Sequence, residues 1–247
     1  PSTSALGVAI SGNYAYVAFN AGGLQIIDIS NPSSPTLTGT YNTSGNARDV
    51  AISGNYAYVA DNTDGLKIID ISNPSLPDSI GGYNTTGFAK DVSVSGDYAY
   101  VADWNSGLQI IDISNPTSTT LTGTYSTSGN AGGVSVSGNY AYVAEGNVGL
   151  EIIDISNPAL PTLVGTYNTS GTAYQVSVSG NYAYVADGDS GLQIIDISNN
   201  AGSNNITVGR NSSNINGSAE NLTIDVSGAI VTLIYTGSTY GWVVGSV

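Results

Sequence analysis

The sequence is built on a repeat of 42 residues. The segment Gly23-Leu24-Gln25-Ile26-Ile27-Asp28-Ile29-Ser30 returns with small changes at Gly65, Gly107, Gly149 and Gly191, without insertion or deletion. The segment Ser-Gly-Asn-Tyr-Ala-Tyr-Val-Ala, at 11–18, recurs with the same spacing. A fixed period of roughly 40–50 residues, made of short apolar runs and Gly/Asn/Pro turns, is typical of a β-propeller blade. The repeat therefore predicts an all-β fold, a five-bladed β-propeller.

Each repeat contains four segments with the pattern of a β-strand. In the first repeat these are 8–10, 14–18, 24–29 and 36–41. The Ser-Gly-Asn turn between the first two suits a hairpin, because Gly and Asn tolerate positive φ. The Ile26-Ile27 pair places large side chains on both faces of the sheet, as expected when neighbouring blades cover both. One blade buries too little surface to be stable alone, so we expect four-stranded blades that stack and close into a ring.

The repeat weakens after residue 198. Residues 204–209 stand in the register of an outer strand, and we predict that they complete blade five. The predicted domains are a propeller over 1–209 and a C-terminal β-module over 210–247. The alternation of apolar residues predicts a small β-meander there, with strands at 222–226, 229–235 and 240–244.

The charge balance excludes two classes of partner. The chain has 18 acidic and four basic residues, a formal net charge of −14. Nucleic-acid recognition requires a basic footprint, and adsorption to anionic lipid requires basic clusters. No apolar run approaches the roughly 20 residues of a membrane span. We therefore expect no nucleic-acid partner and no membrane insertion.

The five copies differ most in the loops between second and third strands and in the connections between blades, which propeller geometry places on one rim. One connection position holds, in order, Leu6, Arg48, Lys90, Gly132 and Tyr174. Variable loops on a rigid scaffold commonly carry binding residues, although drift in exposed loops gives the same pattern. The predicted ligand-binding rim is Phe19, Asn20, Arg48, Asp61, Asp64, Lys90, Asp103, Trp104, Glu145, Tyr174, Asp187 and Asp189.

Trp104 and Phe19 are the leading single candidates on this rim. Aromatic rings in exposed loops stack on sugars or anchor protein contacts. The alternative is that each ring only covers the edge of a neighbouring blade.

The acidic residues suggest a metal site at two loops, of which Asp61-Asn62-Thr63-Asp64-Gly65 is the looser match. Asp187-Gly188-Asp189-Ser190-Gly191 has the spaced oxygens that Ca²⁺ favours, but it lacks the later bidentate Glu of an EF-hand. We therefore predict no cofactor, with Ca²⁺ at Asp187 and Asp189 as the alternative. For the aspartates that recur beside the Ser-Asn-Pro turns we predict a structural role as acceptors of backbone N–H bonds. They are Asp28, Asp70, Asp112, Asp154 and Asp196.

The composition also limits catalysis. Without His or Cys, the usual Ser-His and Cys-His nucleophilic mechanisms are excluded. Glycoside hydrolysis by two carboxylates remains, with Asp61, Asp103, Glu145 or Asp187 as candidates. Because the residues unique to one copy lie at loop tips, we predict that the protein is not an enzyme and has no catalytic residues.

Two resemblances extend this interpretation. The motif Leu24-Gln25-Ile26-Ile27-Asp28, with the Tyr-Ala-Tyr-Val-Ala and Ser-Asn-Pro elements, resembles the LVIVD-repeat family over residues 5–198. The resemblance implies a β-propeller of secreted or surface-exposed bacterial and archaeal proteins, usually without a defined catalytic role.

The tail is similar to a short C-terminal β-module of phage structural proteins. The residues that carry this likeness are Ile206-Thr207-Val208, Arg210-Asn211, Asn214-Ile215-Asn216-Gly217, Val231-Thr232-Leu233-Ile234-Tyr235 and Gly241-Trp242. Together the resemblances imply a virion surface or appendage component that contacts a surface glycan or protein through the rim. Residues 204–247 would contact other structural proteins of the assembly. The alternatives are a secreted bacterial or archaeal cell-surface adhesin and, third, a glycoside hydrolase.

Overall fold

The computed structural model describes residues 4–198 and the strands Leu222–Val226, Ala229–Tyr235 and Trp242–Gly245. Within 4–198 the chain forms five antiparallel sheets in chain order, one for each repeat. The predicted fold, a β-propeller of five blades, is confirmed. None of the described segments is a helix with the length and apolarity that a membrane crossing requires.

The strands follow the repeat closely. Blade one consists of β1 (Gly7–Ser11), β2 (Tyr14–Ala18), β3 (Leu24–Asp28) and β4 (Thr36–Tyr41). Blade two consists of β5 (Asp49–Ser53), β6 (Tyr56–Ala60), β7 (Leu66–Asp70) and β8 (Asp78–Tyr83). Blade three consists of β9 (Asp91–Ser95), β10 (Tyr98–Ala102), β11 (Leu108–Asp112) and β12 (Thr120–Tyr125). Blade four consists of β13 (Ala131–Ser137), β14 (Tyr140–Glu145), β15 (Gly149–Asp154) and β16 (Thr162–Tyr167).

Blade five shows three strands, β17 (Gln175–Ser179), β18 (Tyr182–Ala186) and β19 (Leu192–Asp196), with a 3₁₀ turn at Gly188–Ser190. Its predicted outer strand, 204–209, lies outside the described residues. The C-terminal strands β20 (Leu222–Val226), β21 (Ala229–Tyr235) and β22 (Trp242–Gly245) form a separate antiparallel sheet in that order.

Consecutive blades are joined by apolar packing. The leading face of blade one, formed by Tyr16, Ala18, Leu24 and Ile26, packs on the trailing face of blade two, formed by Ala47, Val50, Ala57, Val59, Ile69 and Ile71. Equivalent clusters join blades two and three, three and four, and four and five. The prediction for the Ile-Ile pair holds, because Ile68 packs toward blade three and Ile69 toward blade one.

The two end faces of the array are exposed. On the trailing face of blade one, Val8 is 62% exposed, whereas the equivalent Val50 is 4% exposed. On the leading face of blade five, Leu192 is 62% exposed, whereas the equivalent Leu66 is fully buried at 0%. Among the described residues no core cluster joins blade five to blade one, so the expected closure of the ring is not seen there. The repeat predicts which apolar residues join one blade to the next. The sequence pattern gives no value for the angle between blades, and that angle sets how many blades complete a circle.

In each of the first four repeats, one glycine fixes the loop between second and third strands. Gly65 has a φ of 70°, and a Cβ there would lie 2.4 Å from the Tyr83 carbonyl oxygen and the Thr85 nitrogen. A side chain is therefore excluded both by the left-handed backbone and by the outer strand. Gly23, Gly107 and Gly149 make the same close approach, which holds each rim loop against its own blade.

Candidate functional site

The two variable sets of loops meet on one rim. Backbone pairing links the loop between second and third strands to the connection that leads into the next blade, as in Asn20 with Ala47 and Trp104 with Ala131. The invariant turns lie together elsewhere, since the Ile29 N–H donates to the Asn13 carbonyl at 2.8 Å. The loops that differ among repeats therefore share one surface, here called the variable rim.

A cavity of about 420 Å³ opens at the centre of the variable rim, and we call it the axial cavity. Each blade contributes the residue at the same connection position. The lining residues are Leu6, Arg48, Asp49, Lys90, Trp104, Gly132, Tyr174 and Gln175. Four predicted rim residues, Arg48, Lys90, Trp104 and Tyr174, are thus brought together, although they come from different repeats.

Trp104 occupies a backbone position that does not suit it. Its φ is 50°, in the left-handed region. The equivalent residues have similar φ values, 47° at Asn20, 52° at Asn62, 40° at Gly146 and 53° at Gly188. Asn and Gly tolerate this conformation, whereas a bulky residue there costs on the order of 1–3 kcal/mol and is characteristic of functional sites. The fold requires left-handed backbone at this point but does not require tryptophan.

Lys90 is held against two aromatic rings. Its Nζ lies 5.1 Å from the centroid of Trp104 and 5.5 Å from the centroid of Phe88. It also donates to Asn62 Oδ1 at 3.3 Å. Burial, and then the nearby positive charge of Arg48, lower the pKa of Lys90. These contacts fix the ammonium group at the wall of the cavity, where cation–π attraction supports it.

Two aspartates at the starts of β5 and β9 lie beside the cavity. Asp91 accepts backbone N–H bonds from Val92 at 2.9 Å and from Val134 at 2.6 Å. Asp49 accepts a longer bond from Val92 at 3.4 Å. Burial, and then the hydrogen bond and charge of Asp91, raise the pKa of Asp49 to about 9. Asp49 is therefore protonated at neutral pH and hydrogen-bonded to Asp91.

The sequence interpretation missed this pair. The sequence did contain a signal at one position of the repeat, close to the start of the first strand of each blade. This position is acidic only in blades two and three, at Asp49 and Asp91. The other blades have Gly7, Gly133 and Gln175 there. Space explains the glycines, because a Cβ on Gly7 would lie 2.2 Å from Asp49 Oδ1. The first strands converge there, so Gly7 leaves the space that Asp49 fills, and Gly133 leaves the space that Gln175 fills.

Three predicted rim aspartates, Asp61, Asp103 and Asp187, are fully buried, with 0% exposure. Thr43 Oγ1 donates to Asp61 Oδ1 at 2.7 Å, and the Gly45 N–H donates to Asp61 Oδ2 at 2.9 Å. The same two bonds recur at Asp103 and Asp187. The structure therefore places these carboxylates behind the variable rim, where they fasten each blade to the connection that precedes it.

Blade four has Glu145 in place of this aspartate. Its Oε2 accepts the Gly129 N–H at 3.0 Å, but its Oε1 is buried and has no hydrogen-bond partner among the described residues. Burial, and then contact with Glu151, raise the pKa of Glu145 to about 8. Glu151 accepts Ser128 Oγ at 2.8 Å and was not predicted, although its equivalents are Gln or Lys rather than Glu.

The remaining predicted rim residues line no part of the axial cavity. Phe19 and Asn20 are half-buried in the loop of blade one, and Asp189 is exposed in the 3₁₀ turn. Asp64 accepts the Ser44 hydroxyl and pairs with Lys67 at 3.6 Å.

The calcium alternative concerns the loop that contains Asp187 and Asp189. Both oxygens of Asp187 already accept bonds, from Thr169 Oγ1 at 2.6 Å and from the Gly171 N–H at 3.0 Å. In the part of the chain that the structure describes, no three acidic, His or Cys side chains gather as a ligand set.

The structural role predicted for the recurring aspartates is confirmed. The Ser30 N–H donates to Asp28 Oδ1 at 2.8 Å. The bond recurs at Asp70, Asp112, Asp154 and Asp196. Hydrogen bonding to the serine lowers the pKa of all five carboxyls.

The four carboxylates considered for glycoside hydrolysis come from different blades. Asp61, Asp103 and Asp187 are the buried acceptors described above. Glu145 lies beside Glu151 in blade four. None of the four is among the residues that line the axial cavity.

Comparison with known proteins gives a family and a fold. The family model of the LVIVD repeat matches five times, at 3–43, 44–85, 86–127, 128–169 and 170–205. The chain is similar to the crystal structure of the computationally designed Ika8 protein, with a TM-score of 0.67 and 10% identity over 93% of this chain and 67% of that one. It is also similar to a functionally unknown protein from Desulfotomaculum acetoxidans DSM 771, with a TM-score of 0.70 and 16% identity over 83% of this chain and 69% of that one.

At these identities the solved structures show the fold alone. No curated protein matches the chain. The family model covers far more than half of the sequence, and its boundaries follow the blades described above. The chain belongs to the LVIVD-repeat family.

Proposed function

We propose that this protein is a non-enzymatic binding and structural protein of a virion surface or appendage, which contacts a glycan or another protein through its variable rim. The axial cavity is the centre of the contact. The observation that carries the proposal is Trp104, a large aromatic residue in left-handed backbone where the other blades have Asn or Gly. A ring that costs stability at the mouth of a cavity is best explained by a ligand.

The scaffold supports this role. Apolar clusters fix each blade to the next, and the buried aspartates fix the connections, so the loops of the rim have a rigid base. Binding residues on such loops lose little conformational entropy when the ligand arrives. The function proposed for the rim needs no chemical step, in keeping with the absence of His and Cys from the sequence.

The assignment to a virion rests on the resemblance of the tail to a module of phage structural proteins. The sheet β20–β21–β22 has two edge strands, and an edge strand offers unpaired backbone groups to a neighbouring chain. We propose that residues 204–247 attach the propeller to other structural proteins of the assembly.

The rim is tested with wild type and Trp104→Asn on a glycan array and in a pull-down from host surface extract. Asn is the residue of blades one and two at this position, so the variant keeps the backbone conformation and removes only the ring. Loss of a bound glycan or protein supports the proposal. A full set of wild-type binding partners retained by Trp104→Asn would contradict it.

The location is tested separately, by mass spectrometry of purified virions and of the secreted fraction of host cells. Detection of the chain in virions, at a constant ratio to a capsid protein, supports the virion assignment. Detection only in the secreted fraction would overturn it and favour the adhesin.

A further inference from the structure

We propose that the ligand of the axial cavity is an acidic sugar, whose carboxylate or sulfate group binds between Arg48 and Lys90. The inference rests on the function proposed above and specifies the ligand class of the same site. It follows from the charge, the unmet hydrogen bonding and the ring surfaces of the cavity.

Positive charge is concentrated in the cavity. Of the four basic residues in a chain of net charge −14, Arg48 and Lys90 both line it. The ion pair found among the described residues joins Lys67 and Asp64 on the outer rim, not either of these two. Two like charges held close together repel each other, and the lowered pKa of Lys90 reflects this repulsion in part. A bound anion would relieve it.

Arg48 also lacks an acceptor. Its Nε is buried and has no hydrogen-bond partner among the described residues. A buried donor without a partner costs about 1–3 kcal/mol, and such a group in a native structure calls for an explanation. Carboxylate and sulfate oxygens are the acceptors that a guanidinium group binds most strongly, because the bond is charge-assisted.

The aspartates beside the cavity do not supply this acceptor. Asp49 hydrogen-bonds to Asp91, and the two oxygens of Asp91 accept N–H bonds from Val92 and Val134. The pair is therefore satisfied by itself and by the backbone. An external anion is left as the partner for the cations.

The aromatic residues of the cavity suit a sugar ring. Tyr174 is 58% exposed, and Trp104 is half-buried with its ring against Lys90. The C–H face of a pyranose stacks on such rings, while its acidic group reaches the cations. A dense polyanion fits less well, because the rest of this acidic protein repels it. The favoured ligand therefore carries isolated acidic groups.

The test is a titration with three probes: a glucuronate-containing disaccharide, a sulfated galactose disaccharide and the neutral disaccharide of matched linkage. Binding is followed by calorimetry for wild type and for Arg48→Gln, Lys90→Gln and Lys90→Arg. Lys67→Gln serves as the control, since it makes the same change of net charge outside the axial cavity. Thermal melts check that each variant is folded, and Lys90→Leu, the residue of blade one at this position, replaces Lys90→Gln if that variant unfolds.

We expect an acidic probe to bind at least tenfold more tightly than the neutral one. Arg48→Gln and Lys90→Gln should each weaken it about tenfold or more, roughly the loss of one charge-assisted hydrogen bond. Lys67→Gln should bind as wild type does, and Lys90→Arg, which keeps the positive charge, should lose less affinity than Lys90→Gln. The probe that binds, carboxylated or sulfated, identifies the acidic group.

Two results would overturn the inference. In the first, the neutral probe binds as tightly as the acidic probes, Arg48→Gln and Lys90→Gln do not change this binding, and Trp104→Asn abolishes it. The rim would then bind neutral sugars, so the proposed function would stand but the acidic ligand would not. Absence of binding by all three probes would also overturn it, and the Trp104→Asn pull-down then decides separately whether the rim binds a protein.

Discussion

The ammonium group of Lys90 lies 5.1 Å from the centroid of the Trp104 ring, and the two residues belong to neighbouring variable loops of one rim. A cation over an indole ring contributes about 0.5–2 kcal/mol, depending on desolvation. The left-handed backbone of Trp104 costs a similar amount. The pair therefore adds little net stability, although it fixes both side chains at the mouth of the cavity.

The first prediction concerns this strain. Trp104→Asn should leave the free energy of unfolding unchanged or raise it by up to about 1 kcal/mol, because Asn tolerates the positive φ. Trp104→Ala should lower it, because Ala loses the ring contact and keeps the strain. Urea denaturation of both variants provides the comparison. A loss of more than about 2 kcal/mol in Trp104→Asn would show that the ring is there to cover the blade edge.

The second prediction concerns Glu145. Its folded-state pKa of about 8 lies above the unfolded value of about 4.3, so only the unfolded chain releases the proton between these values. The contribution of Glu145 to stability is therefore complete below about pH 4 and is lost as the pH rises through about 8.

Replacement of Glu145 by aspartate, the residue of blades two, three and five, tests whether stability falls as the pH rises. Glu145→Asp should keep the bond from the Gly129 N–H and gain one from Thr127 Oγ1, which donates to the Gly129 carbonyl in the wild type. Asp61 accepts the equivalent two bonds from Thr43 and Gly45. We expect a melting temperature at pH 8 that is higher by about 2–4 °C, equivalent to about 1 kcal/mol, and a flatter dependence on pH. Glu145→Gln is the matched neutral variant. An unchanged slope between pH 5 and 8 in both variants would show that Glu145 does not carry the effect.

The third prediction separates the two aspartates beside the axial cavity. Asp91→Asn replaces a carboxylate that accepts two backbone N–H bonds and should cost about 1–3 kcal/mol. Asp49→Asn replaces a group that is already neutral at pH 7, so it should be close to neutral there. Chemical denaturation at pH 7 measures both. Equal losses in the two variants would contradict the assignment of the proton to Asp49.

The fourth prediction concerns the end faces. Leu66→Ala creates a cavity between blades two and three and should cost about 2–5 kcal/mol. Leu192→Ala, at the same position of blade five, should cost less than about 1 kcal/mol because the side chain is exposed. If both variants lose the same stability, Leu192 is covered in solution and the array closes there.

Much of the fold was predictable because the repeat carries it. The spacing gave the five blades, the segment 14–18 gave β2 without error, and the Ile26-Ile27 pair indicated sheets covered on both sides. The structural role of Asp28 was predictable too, since its partner Ser30 is two residues away.

The site was less predictable because its contacts are distant in sequence. Asp61 looked like an exposed loop residue, but its partner Thr43 is 18 residues away in the preceding connection. The neutral state of Asp49 depends on Asp91, one repeat later. Variability among the repeats did identify Arg48, Lys90, Trp104 and Tyr174, since a single position of the repeat surrounds the axis.

The uncovered sides of blades one and five imply a gradient of local stability along the chain. Blade three packs on a neighbouring blade on both faces, whereas in the described part of the chain each terminal blade packs on a neighbour on one face only. A quasi-linear array of this kind opens from its extremities, so amide hydrogens of β10 and β11 should exchange last. Lys90 directly precedes the first strand of blade three, and Trp104 lies in the loop after its second strand. The blade that should open most slowly therefore positions two of the residues that line the axial cavity.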